Sequence, residues 1–161
     1  MKTKQDGTVE LRKQLVALLT KKQAHASLED VVRGFPPTLR GVVVDGLPYS
    51  AWQLLDHIRL AQHDILKFST DAKYKSPKWP EGYWAKKPAP PSGTAWAATI
   101  KQIASDRAAF VKLLKTQDLF EPFAWGDGQN LLREALLIAD HNAYHVGELL
   151  VVRRLLGAWK K

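Results

Sequence analysis

The chain contains no cysteine. That single absence excludes a disulfide scaffold, a zinc ribbon, an iron–sulfur cluster and a cysteine nucleophile. Long apolar runs are missing too. Runs such as Ala135–Ala139 and Leu149–Val152 fall far short of the ~20 residues needed to span a membrane. The stretch Met1-Lys2-Thr3-Lys4-Gln5-Asp6-Gly7 has no apolar segment, so no signal peptide is expected. The expectation is a cytoplasmic protein that does not engage membranes. There is no Gly-x-Ser-x-Gly elbow, no phosphate-cradling loop of the P-loop type and no Gly-x-Gly-x-x-Gly, which removes the commonest hydrolase and nucleotide signatures.

What is present fits one domain over residues 1–161. A chain of 161 residues with 45% hydrophobic content can bury a core without staples. The net charge is +8, but the basic residues are scattered. Lys2, Lys4, Arg12, Lys13, Lys21 and Lys22 lie near the start, Lys73, Lys75, Lys78, Lys86 and Lys87 in the middle, and Arg153, Arg154, Lys160 and Lys161 at the end. No segment combines a dense basic stripe with interleaved aromatics. Solvated surfaces explain the charge better than a nucleic-acid interface does.

Four segments carry helical apolar spacing, and no internal repeat is evident. The first runs from about Thr8 to Val32, with Leu11, Leu15, Leu18, Leu19 and Ala26 on one face, and Phe35-Pro36-Pro37 stops it, because proline removes a donor and restrains its predecessor. The second starts at Ser50, with Gln53 three residues on, the pattern of a capping box. Its stripe reads Leu54, His57, Ile58, Ala61, Ile65, Phe68. The third spans about Gly93 to Lys115 through Trp96, Ile100, Ile103, Phe110 and Leu114, with Arg107 on the same stripe. A structural ion pair is the simpler role for that arginine. The fourth runs from about Gln129 to Leu156 with Asp127 as its expected cap. Its stripe is Leu131, Ala135, Ile138, His141, His145, Leu149, Val152 and Leu156, and Gly157 ends it. Four amphipathic helices without a strand pattern predict an all-α four-helix bundle.

Residues 69–93 differ in character. Five prolines are interspersed with Tyr74, Trp79, Tyr83 and Trp84. A connection this long is a functional lid or a linker, and its aromatics argue against disorder. It reads as a long crossover loop between the second and third helices, packed over one end of the bundle. Trp79, Tyr83 and Trp84, with Tyr144 of the last helix, are candidates for a substrate pocket; a plain cap over the bundle end is the alternative.

Of five histidines, three lie on inward stripes. His141 and His145 are four apart and share a helix face, with Cβ atoms roughly 5–6 Å apart. His57 comes from another helix. Three neutral imidazoles with an open fourth position form a catalytic metal arrangement; core histidines with hydrogen-bond partners are the alternative. His25 and His63 fall off the stripes and are expected at the surface. The sequence His141-Asn142-Ala143-Tyr144-His145 lacks the glutamate of His-Glu-x-x-His proteases. No Glu-x-x-His motif of di-iron bundles occurs either. Glu148, three residues past His145, is a candidate for orienting a ligand, for a catalytic base, or for a surface ion pair. Asp64, Gln53 and Asp140 are further polar neighbours.

These residues resemble the DinB-like superfamily. The resemblance rests on Ser50-Ala51-Trp52-Gln53-Leu54-Leu55-Asp56-His57 and on Ala139-Asp140-His141-Asn142-Ala143-Tyr144-His145-Val146-Gly147-Glu148, followed by Arg153-Arg154-Leu155-Leu156-Gly157. It extends over nearly the whole chain. It implies a four-helix bundle with a crossover loop, a homodimer, and a divalent metal, zinc or nickel, on His57, His141 and His145. It further implies a small-molecule substrate and a thiol S-transferase using a low-molecular-weight thiol, or a related hydrolase. A non-catalytic bundle binding metal or a small ligand is the alternative within the same family.

Overall fold

Ser50 begins the helix that organises the molecule. Its Oγ accepts from the Gln53 amide at 3.2 Å while Gln53 Oε1 accepts from the Ser50 amide at 3.2 Å, closing the expected capping box. In the computed structural model, which describes residues 4–159, five α-helices follow in order: α1 (Lys4–Thr20), α2 (Leu28–Val32), α3 (Ala51–Phe68), α4 (Ala95–Thr116) and α5 (Leu131–Leu155). Two 3-10 turns, Pro37–Leu39 and Glu81–Tyr83, lie in the connections. There is no strand among the described residues, as the amphipathic pattern predicts. Helix α3 packs on α4 and α5, and α1 packs on the same two, so the four long helices close a ring.

Three local expectations need correction. The first segment is not one helix. It ends at Thr20, and a second capping box restarts it at Leu28, where Ser27 Oγ accepts from the Asp30 amide at 3.1 Å and Asp30 Oδ2 accepts from the Ser27 amide at 3.2 Å. A Ser-x-x-Asp pair inside a helical pattern breaks it, because the serine then competes for the amides that the helix would use. Leu18, expected in the core, is 44% exposed. The last helix is capped by Asn130, whose side chain accepts from the Arg133 amide at 3.0 Å, and not by Asp127. Asn130 is nearer the first core residue, Leu131, and has the cap geometry. Gly157 adopts φ +68° just past α5, as its permissive backbone allows.

The apolar core comes in two parts. One gathers Phe35, Trp52, Leu55, Ile58, Trp96, Ile103 and Leu149. The other gathers Leu15, Ile65, Phe110, Leu114, Leu119, Leu131 and Ile138. On α3 the changeover lies between Ile58 and Ile65, and on α5 between Ile138 and Val146. Polar residues occupy that belt. Buried Gln62 donates to the Ile103 carbonyl at 2.7 Å and accepts from Asn142 at 2.9 Å. His57, His141 and His145 sit near the same level.

The long connection, residues 69–94, does not wander. It lies along one face of α3. Tyr83 Oη donates to Asp64 Oδ2 at 2.7 Å, the Tyr83 carbonyl accepts from His57 Nδ1 at 2.8 Å, the Ala85 carbonyl from Gln53 Nε2 at 3.0 Å, and the Pro88 carbonyl from Ser50 Oγ at 2.6 Å. Beyond it, a Cβ added at Gly41 would fall 2.7 Å from Ala89 Cα. Glycine is what lets the two backbones meet there.

Ser50→Ala removes both the cap and the Pro88 bond. It is expected to destabilise the protein by about 1–2 kcal/mol. Urea unfolding checks this as a lower midpoint with an unchanged slope.

Candidate metal centre

The helical repeat brings His141 and His145 onto one face of α5 with ring centroids 4.5 Å apart. The packing of α3 against α5 supplies His57 opposite them. All three rings point inward with the same atom. His57 Nε2 lies 3.1 Å from His145 Nε2 and 3.0 Å from His141 Nε2. The three potential ligating atoms all fall within 4.8 Å of one another. Imidazoles bound at ~2.0–2.1 Å around a tetrahedral ion would place their nitrogens about 3.3 Å apart, so the cluster is close to ligating dimensions.

The outer nitrogens fix the protonation of the inner ones. A carbonyl oxygen can only accept, so the 2.8 Å contact with Tyr83 requires the proton of His57 to be on Nδ1. Glu148 Oε2 accepts from His145 Nδ1 at 2.7 Å. In the neutral rings both Nε2 atoms are then bare lone pairs. Two lone pairs 3.1 Å apart repel, and a shared cation removes that repulsion. His141 is held less tightly, with Asn142 Oδ1 at 3.5 Å from its Nδ1. The residues present therefore suit a divalent cation with three nitrogen donors.

Burial supports the neutral state. His57 is 2% exposed, and desolvation holds its pKa below the ordinary imidazole value, against the Tyr83 carbonyl, which favours the protonated ring. His141 is pushed down to about 4, first by burial and then by the two neighbouring imidazoles.

The other sequence candidates divide. Trp84 lies flat on His57, with centroids 3.9 Å apart and planes 3° apart, and Tyr49 stacks on the far face of Trp84 at 3.8 Å. Tyr83 is buried, its phenol pushed above the usual range by burial and then by Asp64. Trp79 is 68% exposed, and its ring meets that of Tyr83 with centroids 5.4 Å apart. Tyr144 is 65% exposed with its ring edge-on to His145 at 4.9 Å. Glu148 contacts the outer nitrogen of His145, on the side away from the convergence point. Asp140 is exposed. Arg107 pairs with Glu29 at 2.6 Å, the ion pair expected of it. Cavities of about 640, 530 and 660 Å³ occur elsewhere, and none is lined by the three histidines.

Sequence reasoning missed the carbonyl of Tyr83, because a backbone acceptor leaves no trace in residue type. It also placed His63 at the surface, as it did the exposed His25. His63 is in fact half-buried, with its Nδ1 3.0 Å from Asp106 Oδ2. Asp106 is buried where α4 meets α3, and only tertiary packing brings the pair together.

For a base whose folded pKa lies below its unfolded value, the unfolded chain binds more protons between the two, so stability rises with pH there. The contribution of His141 is complete above the ordinary imidazole value of 6.5 and disappears as pH falls toward about 4. Chelator-treated protein is expected to unfold at lower urea at about pH 5 than at about pH 7. His141→Asn is expected to flatten that dependence; an unaltered slope would contradict the shift.

No curated protein and no solved structure matches the chain significantly. A family model described as the DinB superfamily matches residues 14–149, a span that includes all three histidines, Glu148 and the connection along α3. By this match the chain belongs to the DinB superfamily.

Proposed function

We propose that the protein is a divalent-metal-dependent enzyme, a thiol S-transferase or a related hydrolase, with His57, His141 and His145 as ligands to zinc or nickel. The observation that carries this reading is the convergence of three Nε2 atoms, two of them bare in the neutral rings because the outer nitrogens carry the protons. Membership of the superfamily supports it.

A bound divalent ion supplies Lewis acidity, which converts a thiol or water at its open position into a nucleophile at neutral pH. The chain's own residues do the rest. His57 and His145 present fixed lone pairs. Glu148 holds the proton on His145 Nδ1 and so orients that ring; this contact favours an orienting role over that of a base acting at the reacting atoms. Trp84 and Tyr49 screen the His57 side from water. On this reading Tyr144, exposed beside His145, and the Trp79–Trp84 stretch would meet a small-molecule substrate and a low-molecular-weight thiol. A homodimer fits the apolar residues that α5 leaves exposed, Tyr144, Val151 and Leu155 among them. No helix among the described residues is long and apolar enough to cross a membrane.

Elemental analysis of untagged protein is expected to give about one divalent ion per chain. His57→Ala, His141→Ala and His145→Ala are each expected to lose it. Stoichiometric metal in the His57→Ala and His145→Ala variants would sink the proposal. Chelation separates catalysis from a structural staple: an enzyme built on this bundle loses turnover of a thiol and an electrophile while keeping its helicity, whereas a staple loses both.

A further inference from the structure

The connection 69–94 meets α3 at four rungs, Ser50, Gln53, His57 and Asp64. These residues lie along one helix face, and the partners run the other way, from Pro88 and Ala85 to Tyr83. One rung is a candidate metal ligand. Tyr83 makes that rung and the next, its carbonyl on His57 Nδ1 and its phenol on Asp64 Oδ2. Seven residues separate His57 from Asp64, roughly 10 Å along the helix, and one tyrosine spans the interval. The next residue, Trp84, covers the face of the same imidazole, with planes 3° apart. His57 is therefore gripped at its edge and on its face by consecutive residues of a single strap.

We propose that Tyr83 is a positioning residue that couples this strap to the metal. With the strap in place, the phenol anchor at Asp64 holds the Tyr83 carbonyl against His57, the Nδ1 tautomer is enforced, and Nε2 faces the other two histidines as a lone pair. With the strap lifted, His57 loses the acceptor and the stacked indole together, and both tautomers and ring rotations become available. Ion capture and strap closure then share one free energy. By reciprocity, whatever the strap adds to ion affinity the ion returns to strap closure. The inference rests on the metal reading above.

Two readouts test it. Lys73, Lys75 and Lys78 are exposed in the strap, and Lys101 is exposed within α4. Limited trypsin digestion of the full chain, mapped by mass spectrometry, compares cleavage after the strap lysines with cleavage after Lys101, which reports global opening. Strap cleavage faster than cleavage after Lys101 marks local opening of the strap, and saturating Zn²⁺ is expected to slow that strap cleavage about tenfold. In Co²⁺ titrations followed by visible absorption, Tyr83→Phe and Asp64→Ala are expected to weaken binding about tenfold or more and to alter the ligand-field spectrum. Asp64→Asn keeps an acceptor and is expected to restore both. Asp64→Ala removes the same anchor from the helix side, so a folding failure of Tyr83→Phe alone does not leave the role untested. Zinc binding with the rate of strap cleavage unchanged overturns the coupling and leaves the metal reading intact. Unaltered Co²⁺ affinity and spectrum in folded Tyr83→Phe or Asp64→Ala overturn the role of Tyr83. Failure of the wild-type chain to bind Zn²⁺ or Co²⁺ overturns the metal reading, and the inference with it.

Discussion

Imidazole nitrogens that present only lone pairs repel, and here the fold forces at least two of them within 3.1 Å. In the neutral rings, the Tyr83 carbonyl and the Glu148 carboxylate select that arrangement from outside. Neither partner lies at the convergence point. Both act through the ring, by deciding which nitrogen keeps the proton. A bundle selected only for stability would fill this position with leucine, because a satisfied apolar core avoids both the desolvation and the repulsion. Placing ligating nitrogens there has a stability cost that the apolar regions on either side must offset.

The division of the core shows how this is done. Large side chains with almost no exposure, Phe110, Leu114 and Leu131 on one side and Phe35, Leu55 and Ile58 on the other, flank the polar belt. Within the belt the polar atoms bond one another: Asn142 to Gln62 and Gln62 to the Ile103 carbonyl. That chain ties α5 to α3 and α3 to α4 through side chains that fit one register only. Hydrogen bonds in a dry interior penalise misalignment more than apolar contacts do, so the belt fixes the relative heights of three helices. The height of α5 against α3 is what brings His141 and His145 level with His57.

Much of this was legible from periodicity. Two histidines at helical spacing and a third on another apolar stripe are visible without coordinates, because burial on a helix face repeats every three to four residues. Ser50 with Gln53 announced the start of α3 for the same local reason. What was not legible falls into two kinds. Some signals were present but outweighed. Ser27 and Asp30 form a capping box inside what reads as continuous helix, and Asn130 competes with Asp127 for one cap. Others are absent from residue type altogether. The Tyr83 carbonyl against His57, the Pro88 and Ala85 carbonyls along α3 and the pairing of His63 with Asp106 across the α3–α4 interface are set by tertiary packing.

The charge of the site follows from the same donor set. Three neutral imidazoles leave the two charges of a divalent ion unneutralised, and the carboxylate hydrogen-bonded to a donor ring is Glu148. Asp64 is engaged with Tyr83 two helical turns from His57. On the proposed reading, one carboxylate acting through an imidazole offsets only part of the ion's charge, in a chain whose net charge is already +8. An anion is then the preferred occupant of the open position, and a neutral acid placed there is driven to give up its proton. A carboxylate in place of one histidine would neutralise the ion and weaken that drive. On that reading, an ion held by three histidines would favour deprotonating a thiol or water over a purely structural part.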